Sequence, residues 1–332
     1  MDQKSHRLTL LSRIEQADAD NFEALALEVF AYQATANVLY ARYLSLLGVQ
    51  PASVDRLETI PFLPIGLFKK YEIQTGSWSP ERVFTSSGTT GADAGRHLLR
   101  DGAFYRRNAR RAFEAQYGPL TDYCVLALLP AYLERSGSSL VFMAQDFIEQ
   151  SGDADSGFFL NDMEGLLDVV RRKQDAGRRV LLLGVSFALL DLAEQYAPDL
   201  RGVVVMETGG MKGRRRELTR AELHETLCAA FGVEAIHSEY GMTELLSQGY
   251  SPGQGIFWPA PTLRVRTREI TDPLAPQQAE KNGAINIIDL ANVDTISFVA
   301  TDDLGRYYPD NRFEVIGRLD ASDIRGCNLM VE

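Results

Sequence analysis

Cysteine is scarce in this 332-residue chain: Cys124, Cys228 and Cys327 are its three, far apart in sequence. They form no CxxC pair and no even framework, which excludes a disulfide-stapled scaffold and suits a reducing compartment. Positive charge is also short. Lys and Arg number 34 against 45 Asp and Glu, a formal net charge of -11. Broad nucleic-acid binding needs a basic face that releases phosphate counterions, so that class is set aside. A local loop can still hold a small anion inside an acidic protein. No apolar run is long enough to span a bilayer, and the opening MDQKSHRLTLLSRIEQADAD lacks the pattern of a secretory signal. The expected location is the cytoplasm. Internal repeats and low-complexity segments are missing, and so are the nucleotide signatures GxxxxGK[ST] and GxGxxG.

What is present is an ordinary globular composition, 45% hydrophobic and 24% charged, enough for one large domain or two smaller ones. From about Ser12 to Leu47, Phe22, Leu25, Leu27, Val29, Phe30, Val38 and Leu39 recur at helical spacing, so two or three helices are expected. Pro61 and Pro64 in IPFLPIGLFKK then force an extended path. From Val83 onward, short apolar runs alternate with helical segments: CVLALLP from Cys124, RRVLLLGVSF from Arg178, RGVVVMETGG from Arg201 and VEAIHSEYG from Val233. Thr219 with Glu222 reads as a capping box opening one helix. This alternation points to an α/β fold with a largely parallel sheet. After Gly255, TLRVRTREI, GAINIIDL, TISFVATDDLG and RYYPDNRFEVIGRLD read as short strands of a smaller β-rich subdomain.

Four segments carry chemistry. The stretch VFTSSGTTG at Val83 to Gly91 packs hydroxyls and glycines behind an apolar strand. Backbone N–H groups of such a loop can converge on an anion, and the hydroxyls add donors. Read alone it fits a solvated loop better than a phosphate cradle. Ser238 to Glu244, SEYGMTE, follows another strand; Tyr240 can stack on a base and Glu244 can hold Mg²⁺ on phosphate oxygens. Thr301 to Gly305, TDDLG, reads as a turn whose carboxylates can grip ribose hydroxyls. Gly317 to Asp320, GRLD, places an arginine that can reach the same sugar or a phosphate. Each segment also has a plain reading as a surface turn, a capping acid or a solvated charge.

Taken in order, TSSGTTG, YGMTE, TDDLG and GRLD resemble the adenylate-forming superfamily of acyl-CoA synthetases, adenylation domains and luciferases. IPFLPIGLFKK at Ile60 to Lys70, LPAYLERSGSSL at Leu129 to Leu140 and ETGGMKGRRRELTR at Glu207 to Arg220 look like the LuxE-type acyl-protein synthetases, or long-chain-fatty-acid–luciferin-component ligases. The resemblance covers most of the chain. It implies a large domain over 1–316, with the β-rich subdomain at about 256–316, and a truncated hinge and tail over 317–332. It also implies ATP and Mg²⁺ as cofactors. Thr85, Ser86, Ser87, Gly88, Thr89, Thr90 and Gly91 would hold the triphosphate. Gly209 and Gly210 would let the backbone approach adenine, with Tyr240 and Gly241 beside it. Thr243 would meet the α-phosphate, Glu244 would ligate Mg²⁺, and Asp303 and Arg318 would bind the ribose. The implied activity is conversion of a carboxylic acid, a fatty acid in this branch, to acyl-AMP and then to a protein thioester.

The sequence departs from that pattern in two places. Members of the superfamily have a lysine soon after the loop glycines; here ADAGRHLLRD follows, with Arg96 and His97 as the polar substitutes, and Arg214, Arg215 and Arg216 as further cationic candidates. They also carry a small C-terminal domain with a catalytic lysine, whereas this sequence ends soon after Asp320. Cys327 sits where the acyl-protein synthetases carry their acceptor thiol, and nearby Arg325 favours its thiolate. A partner such as an acyl-CoA or fatty-acid reductase is implied only by the resemblance. Cys124 lies in an apolar run and reads as core; Cys228 and His224 are too few for a metal site. Three rivals remain: a serine hydrolase using Gly184-Val185-Ser186-Phe187-Ala188, a CoA ligase, and a nucleotide-binding module without turnover.

Overall fold

Helices open the chain, as their apolar spacing requires. The computed structural model describes residues 3–86, 94–130, 137–160, 162–209 and 218–319. In it α1 (Gln3–Ile14), α2 (Phe22–Ala36) and α3 (Val38–Leu46) follow one another. They bury Ile14, Leu25, Val29, Phe30 and Tyr40. Asn37 lies between α2 and α3 and caps the second, its side chain accepting from Tyr40 N at 2.9 Å. Pro61 and Pro64 hold the next stretch extended, and β1 (Leu63–Pro64) leads into a 3₁₀ turn over Ile65–Lys69. Strands β2 (Arg82–Thr85) and β3 (Arg96–Leu99) pair antiparallel, and α4 (Gly102–Tyr117) follows.

The chain divides into two compact units. The first comprises Met1–Asn108, Thr243–Ser247 and Trp258–Glu332; the second comprises Ala109–Met242 and Gln248–Phe257. The second unit runs β4 (Tyr123–Leu128), α5 (Ser139–Ser151), β5 (Gly157–Phe158), α6 (Met163–Asp175), β6 (Arg179–Val185), α7 (Ser186–Tyr196), β7 (Val203–Thr208), α8 (Arg220–Phe231), β8 (His237–Tyr240) and β9 (Gly249–Ser251). Its sheet has the order β5-β4-β6-β7-β8-β9, parallel up to β8 and antiparallel at β9. Strands covered on both faces read as unbroken apolar runs, and YCVLAL in β4 is buried at every position. The capping box of α8 is formed: Glu222 N donates to Thr219 Oγ1 at 3.2 Å and Thr219 N to Glu222 Oε2 at 2.8 Å.

After β10 (Ile256–Pro259), the first unit is completed by β11 (Leu263–Arg268), β12 (Gly283–Asp289), β13 (Phe298–Tyr307) and β14 (Phe313–Arg318). These four pair antiparallel in sequence order, and β1 adds parallel to β13. The segment 292–297 between β12 and β13 ties this sheet to the first helices. Gln33 donates to the carbonyls of Asn292 (3.0 Å) and Val293 (3.2 Å) and accepts from Ser297 N (3.0 Å). Asp294 takes two bonds from the Arg7 guanidinium and a third from Arg100 at 3.0 Å. Phe30, Tyr40 and Phe62 pack their rings on Phe298. The mixed α/β expectation, a mostly parallel sheet plus an antiparallel one, is met.

One local expectation is corrected. TDDLG is not a turn but part of β13. The register shifts between Leu304 and Gly305, and a methyl at Gly305 would lie 2.0 Å from the Glu314 carbonyl oxygen. The glycine therefore serves close strand approach, which in sequence resembles turn chemistry.

Replacing Asp294 with Ala leaves the Arg7 guanidinium buried and unpaired. The expected loss is about 3 kcal/mol or more of unfolding free energy in urea titrations. A loss under about 1 kcal/mol would show that the pair does not hold the helices.

Candidate functional site

In the second unit the candidate residues cluster at the C-terminal ends of the parallel strands, where α/β sheets place ligands. Gly209 follows β7 with φ +69°, a left-handed backbone that favours glycine. Its carbonyl accepts from Ser186 Oγ at 2.8 Å. Ser186 is the first residue of α7 and only 2% exposed. Its hydroxyl also lies 3.4 Å from Glu207 Oε2. The strand–helix elbow exists, but the serine is bonded to a carbonyl and a carboxylate rather than to a histidine base, so the hydrolase reading fails. Tyr240 ends β8 and is buried, with its ring edge-on to Phe257 at 6.0 Å. A methyl at Gly241 would lie 2.4 Å from Glu239 Oε1, which explains the glycine.

In the first unit, residues 243–247 are held by a buried polar network. The His97 ring is fully enclosed. Its Nδ1 lies 2.7 Å from the Thr243 carbonyl and its Nε2 3.2 Å from Thr295 Oγ1. A carbonyl only accepts, so Nδ1 carries the proton and Nε2 accepts from the threonine. Asn292 Nδ2 donates to the Glu244 carbonyl at 2.8 Å. Asp289 accepts from Leu246 N (2.7 Å), Ser247 N (3.1 Å), Ser247 Oγ (2.6 Å) and Ala291 N (3.1 Å). Asn108 adds a bond to the Leu246 carbonyl at 2.8 Å.

This network presents Glu244. The residue is 8% exposed. Burial raises its carboxyl above the ordinary range, Arg318 and Lys69 pull it back, and Asp303 pushes it further up. Asp303 and Arg318 are partners in the β13–β14 register, with Arg318 Nε 3.6 Å from Asp303 Oδ1. The Arg318 side chain is 77% exposed, so it can reach a ligand. At the end of β2, Ser86 N donates to the Gly95 carbonyl at 2.9 Å, and Ser86 Oγ accepts from Gly95 N at 2.7 Å. A methyl at Gly95 would lie 2.7 Å from Glu244 Oε1 and 3.2 Å from Ser86 Oγ. Thr85, Ser86, Glu244, Asp303 and Arg318 thus belong to one unit, and Glu244 couples electrostatically to Lys69, Asp303 and Arg318.

Ser87, Gly88, Thr89, Thr90, Gly91, Gly210, Arg214, Arg215, Arg216 and Cys327 lie outside the described residues. The two polar substitutes named after the loop serve other ends: Arg96 pairs with Glu72 at 2.7 Å, and His97 is a positioning residue inside the core. Lys69 was not singled out in the sequence. Its only signal there was the lysine pair closing IPFLPIGLFKK. Gly95 was missed because a glycine that admits a carboxylate looks like any loop glycine. Among the described residues no three His, Cys, Asp or Glu converge into a closed metal site. A single carboxylate is nevertheless what Mg²⁺ takes when phosphates and waters complete its shell, and a buried carboxylate gains from a nearby cation. The residues fit the ion.

No family model and no curated protein matches the sequence. Solved structures do. ATP-bound MatB from Rhodopseudomonas palustris superposes with a TM-score of 0.53 and 17% identity, over 73% of this chain and 49% of its own. A 2-hydroxyisobutyryl-CoA ligase in complex with 2-HIB-AMP superposes with a TM-score of 0.65 and 14% identity, over 91% of this chain and 69% of its own. The chain spans about half the length of the MatB structures. The fold is shared with both structures.

Two outcomes are expected. Burial drives the His97 imidazolium down to about 4 from an ordinary 6.5. Between those values the unfolded chain binds the proton that the folded one refuses, so His97 lowers stability by about 3 kcal/mol as pH falls from 6.5 to 4, while the raised carboxyls of Glu239 and Asp289 act in the opposite direction. Urea titrations should show the wild type losing about 3 kcal/mol more than His97→Gln between pH 6.5 and 4, since the Glu239 and Asp289 carboxyls titrate alike in both proteins. Gly95→Ala should displace the Glu244 carboxylate, as a crystal structure of the variant would show, while leaving the melting temperature within about 3 °C.

Proposed function

We propose that this protein activates a carboxylic acid with ATP and passes the acyl group to a thiol. One observation carries the reading. The first unit brings Lys69, and Asp303 and Arg318 of the β13–β14 pair, from three regions distant in sequence to act electrostatically on Glu244. It does so in a fold shared with ligases crystallised with ATP or an acyl-AMP.

In this reading Thr85 to Gly91 hold the triphosphate, and Gly209, Gly210, Tyr240 and Gly241 receive the adenine. Asp303 accepts from the ribose hydroxyls and Arg318 adds a charged donor beside them. Thr243 donates to the α-phosphate. Glu244 holds Mg²⁺, which when bound shields the phosphate charge. Lys69 supplies fixed positive charge beside the same phosphates. A substrate carboxylate oxygen attacks the α-phosphorus, the bond to pyrophosphate breaks, and acyl-AMP forms. A thiolate then attacks the acyl carbonyl and AMP leaves with the C–O electron pair, giving a thioester. The chain's contribution is orientation and preorganised charge. The resemblance makes a fatty acid the expected substrate, and Cys327 or the thiol of a partner reductase the expected acceptor; CoA is the alternative acceptor. Residues 317–332 are proposed as hinge and tail.

Carboxylate-dependent ATP–pyrophosphate exchange tests the reading. Glu244→Gln should lower exchange roughly 100-fold and Lys69→Ala about 10-fold. Cys327→Ser should keep exchange but lose the covalent acyl adduct seen by mass spectrometry. Exchange with no adduct in either protein moves the acceptor to CoA or a partner thiol. Absence of exchange with every acid from acetate to long-chain and aromatic would sink the proposal.

A further inference from the structure

The second unit holds polar side chains to which the nucleotide roles assign nothing. Gln248 is 3% exposed, and its Oε1 is buried with no hydrogen-bond partner. Glu239 is 8% exposed; its Oε2 accepts from Thr208 Oγ1. Its neighbour Glu207 has Arg220 at 3.5 Å and His224 at 3.6 Å, whereas no cation lies within ion-pair distance of Glu239 among the described residues. Gly241 borders both side chains. A methyl there would lie 2.4 Å from Glu239 Oε1 and 3.6 Å from Gln248 Cγ. Gly241 is itself exposed, so both side chains lie beside a surface position that carries no side chain.

An acceptor buried without a donor destabilises the fold, and a carboxyl buried without a cation does so more strongly. Sites that keep such groups open are built for a ligand that completes them. An alkyl chain cannot: it would cover Gln248 Oε1 and Glu239 Oε1 and leave both unpaired. A hydroxyl or an ammonium supplies the missing donor. Burial, reinforced by Glu207 and opposed by the Thr208 bond, holds the Glu239 carboxyl up at about 7. A donor placed against it would favour its charged form.

We infer that Glu239 and Gln248, beside Gly241, receive the side chain of the acid, and that this acid carries a hydrogen-bond donor, a hydroxyl or an amine, rather than a bare alkyl chain. The inference rests on the acid-activating reading and narrows its fatty-acid expectation to donor-bearing acids.

The test is calorimetric binding, with and without AMP, of matched acids at two lengths. These are butyrate, 3-hydroxybutyrate and 3-aminobutyrate, and the corresponding C12 acids. At one length or both, the substituted acid should bind about 10-fold or more tightly than its unsubstituted partner. Glu239→Gln keeps the shape and removes the charge, so it should erase a preference for the amine and spare one for the hydroxyl. Gln248→Met should erase either. Circular dichroism confirms folding of both variants. Unsubstituted acids binding as well as substituted ones at both lengths, binding of no acid at all, or wild-type preferences in both variants would overturn the inference. Selective binding without ATP–pyrophosphate exchange would instead overturn acid activation and leave the pocket standing.

Discussion

Residues 243–247 have no secondary structure to hold them, and one buried carboxylate does that work. Asp289 ends β12 and takes four hydrogen bonds, three of them from Leu246 and Ser247. Its burial drives the carboxyl up, to about 6, against the pull of those donors. A group so enclosed has few alternative arrangements, and the loop inherits that rigidity. His97 and Asn292 then fix the Thr243 and Glu244 carbonyls. The direction of the Glu244 side chain follows from these backbone bonds, so the candidate chemistry rests on residues that would touch no ligand.

Two buried glutamates show how surroundings assign roles to the same side chain. Glu244 in the first unit couples to Lys69 and Arg318, which favour its charged form. Glu239 in the second unit meets a threonine hydroxyl and the charge of Glu207, and burial holds its carboxyl up at about 7. In the proposed function the first meets a cation. The other is short of a donor. In a chain of net charge -11 such local balances, not the overall charge, decide what binds where.

Much of the fold was legible before any coordinates. The unbroken apolar runs of β4, β6 and β7 read as buried parallel strands because a strand covered on both faces has no polar side to show. Thr219 and Glu222 read as a helix start because both halves of the capping box are local. Cys124 read as core and is fully buried. The TDDLG segment misled because glycine serves both tight turns and close strand approach. His97 misled because polarity next to a glycine-rich loop looks like ligand contact, whereas its ring is spent inside the core.

Whatever depended on neighbours along the chain was therefore present in the amino-acid order: helix caps, strand runs, proline-extended segments and the glycines flanking candidate motifs. Which charges meet was not. Lys69, Asp303 and Arg318 act on Glu244 from elements far from it in sequence, and Gln248 Oε1 lacks a partner only because of what packs around it. Both facts depend on distance and desolvation, which arise when the chain folds and have no counterpart in residue order.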